Sequence, residues 1–489
     1  MASKMEIMKK SRIYVTILAA VLLTGCTDWL MVQPRGVEVP DKLEHYEGLL
    51  YGTDQVFIGE VFPYMCFENT CTGSGYETMY SVVGRPECNA YLWQADIFRE
   101  DEECAEWNFP AAGMYALNVV VNGVMDASDG TDEEKLAVRS EARMMRAYMH
   151  FLMAQFFGKP YDAATAGQDL CIPLITEAST TQTDLPRRTV EDVYDFILTE
   201  MTESVANLPD RMSHHKRVFR TAGYTMLGKV YWMMGRYEDA LPAFEEAMKS
   251  LRSSETDGIF LDYPALAGDG GAISYPTDPK LNPEELYELE SMFLLYHSMW
   301  PSYYGSTLIY IKPEVLQEYY ADTEDYRLSF MAAFSTGASP YGKAIDLSDQ
   351  YYIDLQHTRI TTNFGITTPD LFLMYAECLA RTGNDDEAAA LLEELRAARM
   401  PAANAAVPAS LSGNELVKYA VAERMRENLG YGASWFDMRR LWADPLFQDM
   451  KKWYVHTDGV QEYTLTEQRL VMRIPPSVMI WHDDYVNNE

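Results

Sequence analysis

Between Thr221 and Ser250 the chain reads TAGYTMLGKVYWMMGRYEDALPAFEEAMKS, with small and large apolar residues recurring at helical intervals. Leu227, Gly228 and Tyr231 share one face of a first predicted helix, Gly235 marks a corner, and Tyr237, Ala240, Phe244 and Ala247 share a face of a second. Small residues at Gly228 and Ala240 let two helix backbones approach closely, while Tyr231 and Phe244 fill the space above and below that contact. A single hairpin of this kind leaves an apolar face uncovered, so the pattern predicts stacked neighbours.

The same spacing returns in TPDLFLMYAECLARTGNDDEAAALLEELRAARM through Ala376, Leu379, Gly383, Ala388, Leu392 and Leu395, with Asn384 expected to cap the second helix. This is tetratricopeptide-repeat (TPR) spacing. Further helices are predicted over DKLEHYEGLLYG, over a stretch carrying Trp107, Tyr115, Asn118 and Asn122, and over the long amphipathic run EEKLAVRSEARMMRAYMHFLMAQFFG. Thr131 or Asp132 should cap that run, and Gly158-Lys159-Pro160 should end it. TVEDVYDFILTEMTESVANLP reads as its return helix, opened by a capping box of Thr189 and Asp192, and NELVKYAVAERMRENLG with SWFDMRRLWADPLF forms a last pair. The fold class is therefore mainly α: TPR-like helical pairs over about 131–250 and 366–448, within one domain spanning 26–489. Two stretches, about 60–100 and 253–365, lose the period and are rich in Gly, Pro and aromatics, so they read as loops and short strands inserted into the helical frame. Insertions on a repeat array are often its binding face.

Charge narrows the function. With 73 acidic against 40 basic residues and a net charge of −33, the surface repels phosphate backbones, which argues against a nucleic-acid partner. At the N-terminus Lys9, Lys10 and Arg12 precede an apolar run from Ile13 to Leu23, too short for the roughly 20 residues a membrane span takes. The run closes on Leu23-Thr24-Gly25-Cys26. Residues 1–25 thus read as a signal peptide with a bacterial lipobox, and Cys26 as the acylated first residue of the mature chain. Cys66, Cys71, Cys88 and Cys104 crowd one segment and in an exported protein could form two disulfides; a zinc site is disfavoured because they lack paired C-x-x-C spacing. Cys171 and Cys378 sit in apolar surroundings and are expected to be buried.

Several segments, in order, resemble the SusD/RagB family of outer-membrane nutrient-binding lipoproteins. They are the lipobox with Asp28-Trp29-Leu30 and Pro34; Trp107, Tyr115 and Asn122; EARMMRAYMHFLMAQFFGKP; Tyr375-Ala376-Glu377; Glu423-Arg424 with Trp435-Phe436-Asp437 and Arg440; and Ile474-Pro475-Pro476-Ser477. Two departures stand out. Thr367 and Asp370 replace the arginine and glutamate ahead of the Tyr-Ala-Glu helix, and Tyr431-Gly432 and Ser434 replace the Glu-Gly and Arg ahead of Trp-Phe-Asp. Because those family residues resemble ion-pair partners, the changes put local salt-bridging in doubt. The resemblance implies a non-enzymatic protein on the bacterial outer membrane, lipid-anchored and facing the cell surface. It would capture glycan and deliver it to a SusC-like TonB-dependent transporter; some relatives take peptides instead.

A glycan site calls for aromatic platforms, since sugar rings present flat C–H faces. The insertions supply Tyr64, Tyr76, Tyr80 and Trp93 in the first and Trp300, Tyr303 and Tyr304 in the second, with the WPSYYG loop the leading candidate. A helical glycoside hydrolase is the less favoured alternative. No carboxylate pair stands out from the acidic background, no Ser-His-acid pattern appears, and the eight histidines show no metal spacing, so neither catalytic residues nor a cofactor are assigned.

Overall fold

The computed structural model describes residues 40–52, 61–71, 73–82, 84–179, 181–182, 184–253, 259–267, 290–293, 295–297, 309–320, 325–327, 332–334, 351–353, 362–430 and 432–488. From Lys42 onward they pack as one unit. Its backbone is a series of helices: α1 (Leu43–Tyr51), α2 (Gly73–Val82), α3 (Arg85–Tyr91), α4 (Ala105–Gly123), α5 (Asp132–Phe157), α6 (Val190–Val205), α7 (Arg220–Met233), α8 (Tyr237–Ser253), α9 (Pro313–Tyr320), α10 (Thr368–Arg381), α11 (Asp385–Ala397), α12 (Asn414–Asn428) and α13 (Ser434–Leu441).

Helix α5 is the central rod. Thr131 opens it with a capping box: its hydroxyl accepts the Glu134 N–H at 3.2 Å, and the Glu134 carboxylate accepts the Thr131 N–H at 2.7 Å. From Met144 to Phe157 every residue is buried, because α4 and α6 cover it on two sides and the later hairpins on the rest. Thr189 and Asp192 form the second box, opening α6 as expected.

The α7–α8 hairpin turns at Gly235, whose φ of +72° favours glycine. Gly228 is where the helices touch: a Cβ there would lie 2.4 Å from a ring carbon of Phe244, so only glycine admits this crossing. The α10–α11 hairpin repeats the corner with Gly383 at φ +84°. Asn384 stands at the start of α11 but makes no capping bond; its side-chain amide instead donates to the Thr382 hydroxyl at 3.0 Å. The hairpins stack in sequence, α6 on α7, α8 on α10, and α10 on α12, which buries the faces a lone hairpin would expose.

The first insertion differs from expectation. It holds two helices, α2 and α3, besides loop and strand. Helices of 10 and 7 residues bury too few positions to register a period amid Gly, Cys and Asn. Its strand Asn69–Thr70 pairs antiparallel with Tyr310–Ile311 of the second insertion, so the two insertions are joined to each other. The Lys312 N–H donates to Glu68 O at 2.8 Å, extending the join. All sheets among the described residues are two-stranded.

Candidate functional site

The motif residues converge beneath the hairpins as buried ions. Glu377 on α10 accepts from Arg381 Nε (2.8 Å), from both terminal nitrogens of Arg440 (2.8 and 2.9 Å) and from the Trp232 indole N–H (3.0 Å). The Arg440 guanidinium also lies 3.8 Å from the Trp232 ring centroid. Asp437 accepts from Arg440 Nε at 2.8 Å and Arg424 Nε at 3.0 Å, and Arg424 Nη1 reaches Asp370 at 2.9 Å. The salt-bridging that the substitution to Asp370 put in doubt is thus retained, with the shorter acid still meeting Arg424. Ser434, the other departure, donates its hydroxyl to buried Glu68 at 2.6 Å.

A second cluster centres on Glu423, which binds Arg396 (2.6 Å), Arg426 (2.9 Å) and Arg327. Burial alone would raise the Glu423 carboxyl, but Arg327, Arg426 and Arg396 override it and hold the group at about 2. These charges satisfy one another, so the motif residues are framework.

Two of the predicted platforms are framework as well. Tyr64 is 1% exposed in the short turn Phe62–Met65. Trp93 is 4% exposed; its indole N–H donates to Met65 O at 2.9 Å and its ring stacks on His456 at 3.9 Å. Tyr91 stacks on His456 at 4.4 Å, so the histidine of the C-terminal strand Val455–Thr457 draws this part of the insertion inward. Neither Tyr64 nor Trp93 offers a ring face to solvent. Tyr76 and Tyr80 stand one turn apart on α2; Tyr80 is 51% exposed and Tyr76 half-buried, 6.3 Å from the Tyr91 ring. Trp300, Tyr303, Tyr304 and the lipidation residue Cys26 lie outside the described residues. Cys66, Cys71, Cys88 and Cys104, whose pairing the sequence left open, are buried free thiols, as are Cys171 and Cys378.

One concavity had no counterpart in the sequence reading. A cleft of about 630 Å³ opens where the end of α5, the α7–α8 corner, α13 and the tail around Leu470 meet. Tyr161, Tyr194, Trp232, Tyr237 and Trp442 line it, together with Arg439. Gln155 Nε2 donates to the Tyr194 hydroxyl at 2.7 Å, and Lys159 pairs with Asp169 at 2.6 Å near its mouth. Arg439 is 2% exposed and donates to the carbonyls of Gly158 (2.7 Å) and Leu470. Burial draws its guanidinium down to about 10. The single sequence signal for this site is that Arg439 adjoins the Arg440 of the motif.

Two family models match the chain, separated by a gap that falls within residues 233–316. One, described as starch-binding associating with outer membrane, matches residues 55–232; the other, the SusD family, matches residues 317–478. A curated relative, SusD-like protein P38 of Formosa agariphila, is 23% identical over 346 residues, covering 61% of this chain and 65% of that protein. The chain thus spans about two thirds of that relative's length. A SusD superfamily protein of Bacteroides vulgatus superposes with a TM-score of 0.68 at 16% identity, over 91% of this chain and 98% of that one. A SusD-like carbohydrate binding protein of the same species superposes with a TM-score of 0.60 at 14% identity, over 91% and 97%. Mainly helical, with stacked hairpins and motif ions in its core, the chain belongs to the SusD/RagB family.

Proposed function

We propose that the protein is a cell-surface glycan-binding lipoprotein, anchored through Cys26, that captures oligosaccharide and passes it to a SusC-like TonB-dependent transporter. Membership in a family of binding proteins associated with the outer membrane supports the binding role and the location. The observation that carries the site is the pair Tyr76 and Tyr80, one turn apart at the surface of the first insertion. Every motif carboxylate described above is consumed by arginine, which leaves glycan capture to the insertions, where Trp300, Tyr303 and Tyr304 are the further candidates. Binding here is capture without catalysis.

Calorimetric titration of the purified protein against neutral glycans, acidic glycans and peptides tests this reading. A neutral oligosaccharide should bind, and Tyr80→Ala should weaken it about tenfold, the loss of one stacking contact. Binding of peptides alone would replace the glycan by a peptide. Unchanged affinity in both Tyr80→Ala and the Trp300→Ala/Tyr303→Ala double variant, with the fold intact, would remove the platform. For the anchor, Cys26→Ser should move the protein out of the membrane fraction.

A further inference from the structure

Arg439 and Arg440 are neighbours on α13, yet their surroundings are opposite. Arg440 meets two carboxylates, Glu377 and Asp437. Arg439 meets two backbone carbonyls, and among the described residues no carboxylate pairs with it. Its Nε–H is buried with no acceptor among the described residues. Moving a full charge out of water without an anionic partner is costly, and carbonyl dipoles compensate it only in part. Close by, the buried Tyr194 hydroxyl accepts from Gln155, while its own hydrogen has no acceptor among the described residues. A cation short of an anion and a hydroxyl short of an acceptor therefore line the same cleft.

We infer that this cleft is a second ligand site, built for a small sugar that carries a carboxylate, a uronic acid of one or two rings. The carboxylate faces Arg439 and the Tyr194 hydroxyl, where a guanidinium and an O–H give short, charge-assisted bonds. At about 630 Å³ the cleft lies in the range of small-molecule sites, which suits one or two rings and excludes a polymer. Tyr161, half-buried with its ring 5.2 Å from Tyr194, is the wall against which the ring packs. The faces of Trp232 are covered by Arg440 and Arg424, and Lys451 lies over Trp442, so those two rings serve as edges. Asp162 and Glu467 at the rim are exposed and solvent-screened, whereas Arg439 is buried, so the local field at depth is set by the cation despite the acidic surface. The site goes beyond glycan capture by the insertions, because its residues come from the helical frame and the tail.

Titration calorimetry of the purified full-length protein with D-glucuronate, D-glucose and acetate tests it. Glucuronate should bind at least about tenfold more tightly than either control, the sugar lacking the charge and the charge lacking the ring. Arg439→Met should abolish that preference. Should Arg439→Met fail to fold, Tyr194→Phe and Tyr161→Ala, which leave the two carbonyl contacts intact, should each weaken glucuronate about fivefold or more. Tyr80→Ala should leave glucuronate unaffected, which separates failure here from failure of the surface platform. No glucuronate binding, equal affinity for glucose or acetate, or no change in both Tyr194→Phe and Tyr161→Ala would overturn the inference.

Discussion

The lattice around Arg440 and the cleft around Arg439 use the same side chain for opposite ends. In the lattice each arginine is fastened by carboxylates of its own or a neighbouring helix, and Glu377 by itself ties α10 to α13 and to Trp232 of α7. In the cleft the arginine donates, among the described residues, to backbone carbonyls, lies over the Trp435 ring and keeps its Nε–H unspent. What separates framework from reactive surface here is whether the charge is already neutralised, a property that burial alone does not reveal. Both arginine side chains are buried.

The largest test of this contrast is Glu377→Ala. It removes the carboxylate that Arg381, Arg440 and the Trp232 N–H share, leaving Arg381 only Asp444 and Arg440 only Asp437, and should cost about 3–5 kcal/mol in chemical denaturation. Arg440→Met should fall in the same range, whereas Arg439→Met, which removes a buried charge that has no counter-ion, should cost under about 2 kcal/mol, the worth of its carbonyl contacts. Equal losses for the two methionine variants would erase the distinction.

Acid should weaken the frame in two stages. His150 is neutral in the core, accepting the Ile175 N–H at 3.0 Å, and burial holds it at about 4 against an ordinary 6.5. The unfolded chain therefore binds the extra proton first, and stability falls as pH drops from 6.5 toward 4. Glu423, held at about 2 against 4.5, contributes fully above 4.5 and is lost as pH falls toward 2. Equilibrium denaturation across pH 7 to 3 should show a slope that Arg327→Met flattens near pH 4, because Glu423 then takes up its proton in the folded chain as well. The smallest effect belongs to the rim: Lys159→Ala, breaking a part-exposed pair with Asp169, should change stability by less than about 1 kcal/mol.

The frame was legible in the sequence because its rules are local. Gly235 and Gly383 announced the corners, Gly228 the close crossing, and Thr131 and Thr189 the starts of α5 and α6. Trp93 reads as surface in the sequence because what buries it is remote: His456 and its strand arrive from the far end of the chain. The cleft was invisible for a similar reason, since Gln155, Tyr194 and Arg439 become neighbours only after α5, α6 and α13 have packed. Asn384 shows the converse, a residue in the right place whose side chain found the Thr382 hydroxyl instead of the helix end.

The join between the two insertions carries a further consequence. Asn69–Thr70 meets Tyr310–Ile311 through backbone groups, and beside it Lys312 Nζ donates to the carbonyls of Phe67 and Trp453. Main-chain partners are the same whatever residue supplies them. The side chains that radiate from this seam, Lys312 apart, can therefore change without disturbing the stitches or the hairpins below. The protein is built like a tool with a fixed handle and an exchangeable tip.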